Sequence, residues 1–150
     1  VQIVSQLFSY DQKNQPDVLS ILGASTALML SGAPFEGPVG AVRVGKIDGN
    51  YIINPTHQEA EKSIMDIVVA GTSDSVIMVE AGCNFVTEDD IMNAVEFAQV
   101  EIRKQCEAQV AFAQQFTTKN LKFQLFVIQS PIGLELRLLS SKQKQKISSI

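Results

Sequence analysis

The side chains in this sequence that have chemistry to offer are a set of carboxylates, one histidine, two thiols and a few cations. Their spacing assembles no familiar catalytic group. His57 is the single histidine, with Glu59 and Glu61 close behind it. A metal site there would need a second histidine or a clustered aspartate, and neither is near in sequence. The stretch reads as a polar turn, with His57 a solvated loop residue. Glu88-Asp89-Asp90 is the densest acidic run. Thr87 stands before it and an apolar stripe follows it, so it reads as a helix start, where acids favour the positive end of the dipole, not as a metal site. The spacing of Cys83 and Cys106 fits neither zinc ligation nor a CxxC pair, and two thiols suit a reducing compartment. Cys106 is expected to pack within a helix, and Cys83 to lie at a strand end. There is no GxxxxGK[ST], no GxGxxG opening a helix, no GxSxG and no HExxH.

The length of 150 residues suits one ordinary domain, and apolar and charged contents of 45% and 19% are those of a globular chain. No run approaches the ~20 apolar residues that span a bilayer, and nothing resembles a secretory leader, so no membrane partner is expected. Residue 1 is Val, which suggests a chain that starts inside a longer protein or was processed. Charge is uneven. Residues 1–118 carry six Lys/Arg against fifteen Asp/Glu, and residues 119–150 carry six against one. An acidic body is a poor nucleic-acid binder by itself, because phosphates need cations.

The elements that must position these groups follow from periodicity. Val1–Ser9 reads as a strand. After a polar turn, Asp17 caps a helix to about Leu30, ended by Ser31-Gly32. Gly23, costly in a helix, suggests a face thinned for close packing. Val39–Val44 is a buried strand, Lys46–Asn50 a hairpin turn and Tyr51–Pro55 its return. Met65–Gly71 and Val76–Glu80 are two more strands joined at Thr72–Ser75. From Thr87 a long helix carries Ile91, Ala94, Val95, Ala98 and Ile102 on one stripe and reaches about Phe112. Leu121–Ile128 has strand character, and Ser140–Lys146 is polar and basic. The order predicts an α/β (α+β) fold, with helices on one side of a mixed sheet.

Several runs together resemble polynucleotide phosphorylase: Gln15–Ser31, Gly37–Gly45, Tyr51–Thr56, Met65–Thr72 and Val76–Glu80. Order and spacing hold over about residues 1–112, and the resemblance places them in the later half of the family's first RNase PH-like domain. It implies a parent enzyme that removes nucleotides from RNA 3′ ends by phosphate attack, built as a homotrimer around an RNA channel. That parent would use Mg2+ and inorganic phosphate in a second, catalytic RNase PH-like domain. By resemblance the location is the cytoplasm or an organelle of bacterial descent.

The departures from the family pattern imply a segment without catalysis of its own. Where the catalytic copy carries a phosphate-holding Gly-Ser-Ser-Ser run, this chain has Asn14-Gln15-Pro16-Asp17. Pro16 lacks an N–H, and Asp17 repels a phosphate dianion. Of the residues around the family's metal ion, Gln58 replaces one aspartate, Asp66 keeps the other and Val68 replaces the lysine. Asp66 is then at most vestigial, no metal or catalytic residue is expected, and no cofactor is expected in this segment. Arg43 and Lys46 are the cations of the central strands and the candidates for RNA contact, although such cations are more often surface or internally paired residues. Residues 113–150 match the family's helical linker poorly and read as a divergent linker or tail. The alternative is a stand-alone structural or RNA-binding remnant without activity, and a third reading is an active enzyme with an unusual site. If the upstream strands are missing, sheet edge and apolar surface should be exposed.

Overall fold

A computed structural model describes residues 1–116. The segments Leu121–Ile128 and Ser140–Lys146 lie outside the described residues. Helix α1 spans Asp17–Ser31, strands β1 and β2 span Gly40–Ile47 and Asn50–Ile53, and the short helix α2 spans His57–Ala60. Strands β3 and β4 span Met65–Gly71 and Val76–Cys83, and helix α3 spans Glu88–Gln114. The strands form one sheet in the order β2-β1-β3-β4.

The α+β fold expected from sequence is present, with two differences of detail. Every strand pair among the described residues is antiparallel, so the sheet is not mixed. Helices also cover both faces. Val42 and Val44 of β1 and Met65, Ile67 and Val69 of β3 pack under Ala94, Ala98, Ile102 and Cys106 of α3. The alternate residues Ala41, Val68 and Ala70 pack under Val18 of α1. Side chains alternate across a strand, and β1 and β3 are apolar at both parities, so each face needs a cover. A sequence with apolar residues on one parity only would have needed helices on one side alone.

Local chemistry explains the boundaries. Asp48 and Gly49 take φ of 49° and 81°, the positive pair that a two-residue hairpin requires. Helix α1 ends at Gly32 with φ 71°. Thr87 accepts from the Asp90 N–H, and Asp90 accepts from the Thr87 N–H, closing a capping box on α3. Thr56 and Glu59 make the same box on α2, so the stretch read from sequence as a polar turn holds a helical turn. Its Thr-x-x-Glu spacing was the available signal.

Three further expectations are corrected. Val1–Ser9 forms no strand and is exposed. Its alternation is real, but it pairs with no strand among the described residues, and an unpaired strand has little stability. Asp17 does not cap α1. Pro16 holds the cap position with no side-chain bond, while Asp17 is the first helical residue and its carboxylate turns to Arg43. Gly23 is exposed, and a Cβ there would meet nothing within 4 Å among the described residues, so no close approach among them requires the glycine. Gly23→Ala should therefore stabilise the chain by roughly 0.5–1 kcal/mol, read as a higher urea midpoint with an unchanged slope.

Candidate functional site

Three of the side chains singled out from the sequence, Asp17, Arg43 and Asp66, converge where the start of α1 meets the sheet, and the others do not. Residues alternate across β1, so Arg43 shares the α1 face with Ala41, while Lys46 shares the α3 face with Val42 and Val44. The two candidate cations therefore point to opposite sides of the sheet.

Arg43 is fixed at both ends. Its backbone N–H donates to Asn54 Oδ1 at 2.9 Å and its carbonyl accepts from the Asn54 N–H at 2.7 Å. Asn54, with φ 49°, folds back at the end of β2 to make this clasp. The guanidinium, 14% exposed, donates from Nη1 to both Asp66 carboxylate oxygens at 2.5 and 2.6 Å and from Nη2 to Asp17. Its Nε is buried without a hydrogen-bond partner among the described residues. Burial works against the Arg43 charge, but the hydrogen bonds from the two carboxylates outweigh it and raise its pKa above the ordinary value. Burial alone would raise Asp17. The hydrogen bond from Arg43, together with the Val18 N–H, outweighs that and holds the Asp17 carboxyl below the usual range.

A cleft of about 610 Å³ opens beside this triad, with Asp17, Arg43, Asp66 and Glu80 as its charged lining and Val68 and Met78 on its apolar floor. Glu80 reaches it because it pairs across the sheet with Val68. Sequence reading passed over Glu80 and Asn54, and also the Asp17–Arg43 pairing. Strand parity was the usable signal for Glu80, whereas the other two depend on tertiary approach.

These residues fit neither a magnesium ion nor a phosphate. Both Asp66 carboxylate oxygens are engaged by Arg43, and Gln58 lies exposed on α2. Val68 is buried on the floor of the cleft and contributes no charge. Asp17 already occupies the arginine and the helix start that an anion would use. Among the described residues, no group of three or more His, Cys, Asp or Glu is placed to hold a metal ion.

On the other face, Lys46 Nζ donates to Asp90 Oδ1 at 2.5 Å and lies 5.2 Å from the centre of the Tyr51 ring. The hydrogen bond between them raises Lys46 and lowers Asp90 from their ordinary values. This pair ties β1 to the first turn of α3. His57 is exposed on α2, and its ring meets the Tyr10 hydroxyl. Cys83 is exposed at the end of β4, and Cys106 is buried with its thiol raised by burial.

The pH dependence follows in sign. Asp11 (lowered to about 2 by the Asn14 and Lys13 N–H groups), Asp17, Glu59 and Asp90 all have folded pKa values below their ordinary ones. As pH falls, the unfolded chain takes up protons first. Their contribution is complete above the ordinary carboxylate range and is lost as pH falls through the folded values. Tm should hold from pH 7 to 5 and drop below about pH 4. Asp17→Asn should lower Tm at pH 7 and make the acid decline shallower.

Residues 37–101 match the model of the "3′ exoribonuclease family, domain 2". Over 107 residues the chain is 50% identical to a polyribonucleotide nucleotidyltransferase of Finegoldia magna, covering 71% of this chain and 15% of that protein. Over 148 residues it is 41% identical to the polyribonucleotide nucleotidyltransferase of Listeria welshimeri, covering 99% of this chain and 20% of that protein. The chain thus spans a fifth or less of the length of these relatives. The crystal structure of rice (Oryza sativa) Rrp46 superposes with a TM-score of 0.61 at 14% identity, over 68% of this chain and 49% of that one, a likeness of fold.

Proposed function

This chain belongs to the RNase PH-type 3′ exoribonuclease family, alongside the polyribonucleotide nucleotidyltransferases, and from that membership we propose that it is the later part of the first RNase PH-like domain of such an enzyme. Its work in that setting is assembly of the ring and support of the RNA path. Phosphorolysis of RNA 3′ ends, with Mg2+ and inorganic phosphate, belongs to the second RNase PH-like domain of the parent. The partners are RNA, that second domain and two further copies in a trimer, and the compartment is the cytoplasm or an organelle of bacterial descent. Among the described residues, no helix is long and apolar enough to cross a membrane.

One observation carries the non-catalytic assignment. Arg43 is bound by Asp17 and Asp66 of the same chain. An attacking phosphate needs uncommitted cations or N–H donors, and a metal needs carboxylate oxygens with free lone pairs. Here the two kinds of group satisfy each other. Arg43 and Lys46 then act as scaffold cations, one joining α1 to the sheet and the other joining α3 to it.

The test compares the 150-residue chain with the product of the whole reading frame. Each is incubated with 3′-labelled RNA, Mg2+ and inorganic phosphate, and nucleoside diphosphate release is measured. The chain alone should release none above a protein-free control, and the whole product should release it in proportion to phosphate. Phosphate-dependent release by the chain alone would overturn the assignment.

A further inference from the structure

Strand β2 pairs with β1 only from Val44 to Ile47, so on that side the first half of β1 has no neighbouring strand. Backbone groups left open along such an edge are a template for pairing with another chain. Here they are not left open. Alternate residues of an extended chain turn their N–H and C=O to the same side, and on this side they belong to Val39, Ala41 and Arg43. Asn54 takes both groups of Arg43. Gln105 takes both groups of Ala41: its Oε1 accepts from the N–H at 2.8 Å and its Nε2 donates to the carbonyl at 3.1 Å. The Val39 N–H donates to Ser25 Oγ at 2.8 Å, and the Val39 carbonyl accepts from Gln109 Nε2 at 3.0 Å.

The closure is built from both faces of the sheet. Ser25 belongs to α1 and the two glutamines to α3, and the Thr26 hydroxyl donates to Gln109 Oε1 at 3.2 Å. The helices thus meet around the edge. Ser25 and Gln109, each 4% exposed, are the buried polar residues among those described, and both serve Val39. A buried hydroxyl or amide is unfavourable unless it is bonded, so packing alone would favour apolar residues at these places. Gly40 is the second sign. A Cβ on it would stand 2.7 Å from Gln105 Oε1 and 3.1 Å from the Ile102 carbonyl oxygen, so the approach of Gln105 needs a glycine there.

We infer that Gln105 and Gln109, with Gly40 as the space that Gln105 requires, form a lock that keeps the first half of β1 from pairing with the same segment of a second copy. The lock is made of the described chain's own side chains, so it is in place whether or not further domains are attached. It is independent of the ribonuclease reading.

The test follows amide hydrogen exchange and sedimentation of the full chain over a range of protein concentrations. Gln105→Ala removes both bonds to Ala41 and keeps a helix-favouring residue. At low concentration its Ala41 amide should exchange about tenfold faster than in the unaltered chain, as expected for one lost hydrogen bond. As concentration rises, protection should return at residues 39–43, and the variant should sediment as a larger species than the unaltered chain does. Gly40→Ala displaces the Gln105 amide without removing it and should give the same pattern, which keeps the test decisive if Gln105→Ala fails to fold. Val69→Ala, a core change on β3, is the control for lost stability and should add no association through residues 39–43. An unchanged Ala41 exchange rate in Gln105→Ala would overturn the inference. So would fast exchange that persists at every concentration, concentration-dependent protection confined to β4, or the same gain of protection at residues 39–43 in Val69→Ala.

Discussion

Ile102→Ala should cost the chain roughly 2–5 kcal/mol of stability, because it opens a cavity where α3 meets the sheet. Ile102 is 0% exposed and packs with Val42, Val44, Ile67 and Val69 from β1 and β3. Its neighbours on the stripe, Ala94 and Ala98, are too small to fill the space by relaxing. Domains of this size have a total stability of roughly 5–15 kcal/mol, so the variant would lose much of its urea midpoint. Met92→Ala on the same helix, 60% exposed, is the matched control and should change stability by less than about 0.5 kcal/mol. A loss at Ile102 as small as that at Met92 would mean that α3 does not cover this face.

The second large effect belongs to Arg43→Met. Removing one member of a buried ion pair leaves uncompensated charge and typically costs about 3–5 kcal/mol. Asp17 and Asp66 are 48% and 50% exposed, so water screens them once the arginine is gone. The expected loss is therefore smaller, about 2–3 kcal/mol. Arg43→Lys should recover little of it, because an ammonium cannot reach both carboxylates with the planar fork. Adding Asp17→Asn and Asp66→Asn to Arg43→Met should recover part of the loss, since the stranded charges are then neutral. The urea midpoints of the single and combined variants give this coupling directly. Additive losses would show that the three groups do not act as a unit.

Much of this fold was legible because the governing signals are local. The Thr87 start of α3, its stripe through Ile102, the Asp48-Gly49 hairpin and the Gly32 stop each act within a few residues. What was missed depends on partners distant in sequence. Val1–Ser9 has the alternation of a strand, yet a strand exists only when another backbone faces it. Asp17 has the side chain of a cap, but Arg43, far along the chain, draws its carboxylate away. Both-sided covering was readable in principle from the two apolar parities of β1 and β3. At the site, comparison of Pro16, Gln58 and Val68 with the family pattern they resemble led to the expectation that this segment holds no phosphate or metal. The mutual engagement of Arg43, Asp17 and Asp66 needed coordinates, since one face of a sheet brings together three segments that the sequence keeps apart.

The entry to β1 is held from far downstream. Gln105 receives the Ala41 N–H at 2.8 Å and donates to the Ala41 carbonyl at 3.1 Å, and Gln109 donates to the Val39 carbonyl at 3.0 Å. The amide of Gln105 thus does for Ala41 what a neighbouring strand would do. On the ribosome, β1 and β3 emerge long before these glutamines. Until α3 has cleared the exit tunnel, one face of the nascent sheet has no roof, and Val42, Val44 and Val69 face water or a chaperone. A translational pause between β4 and α3 would thus leave that face open to misassociation.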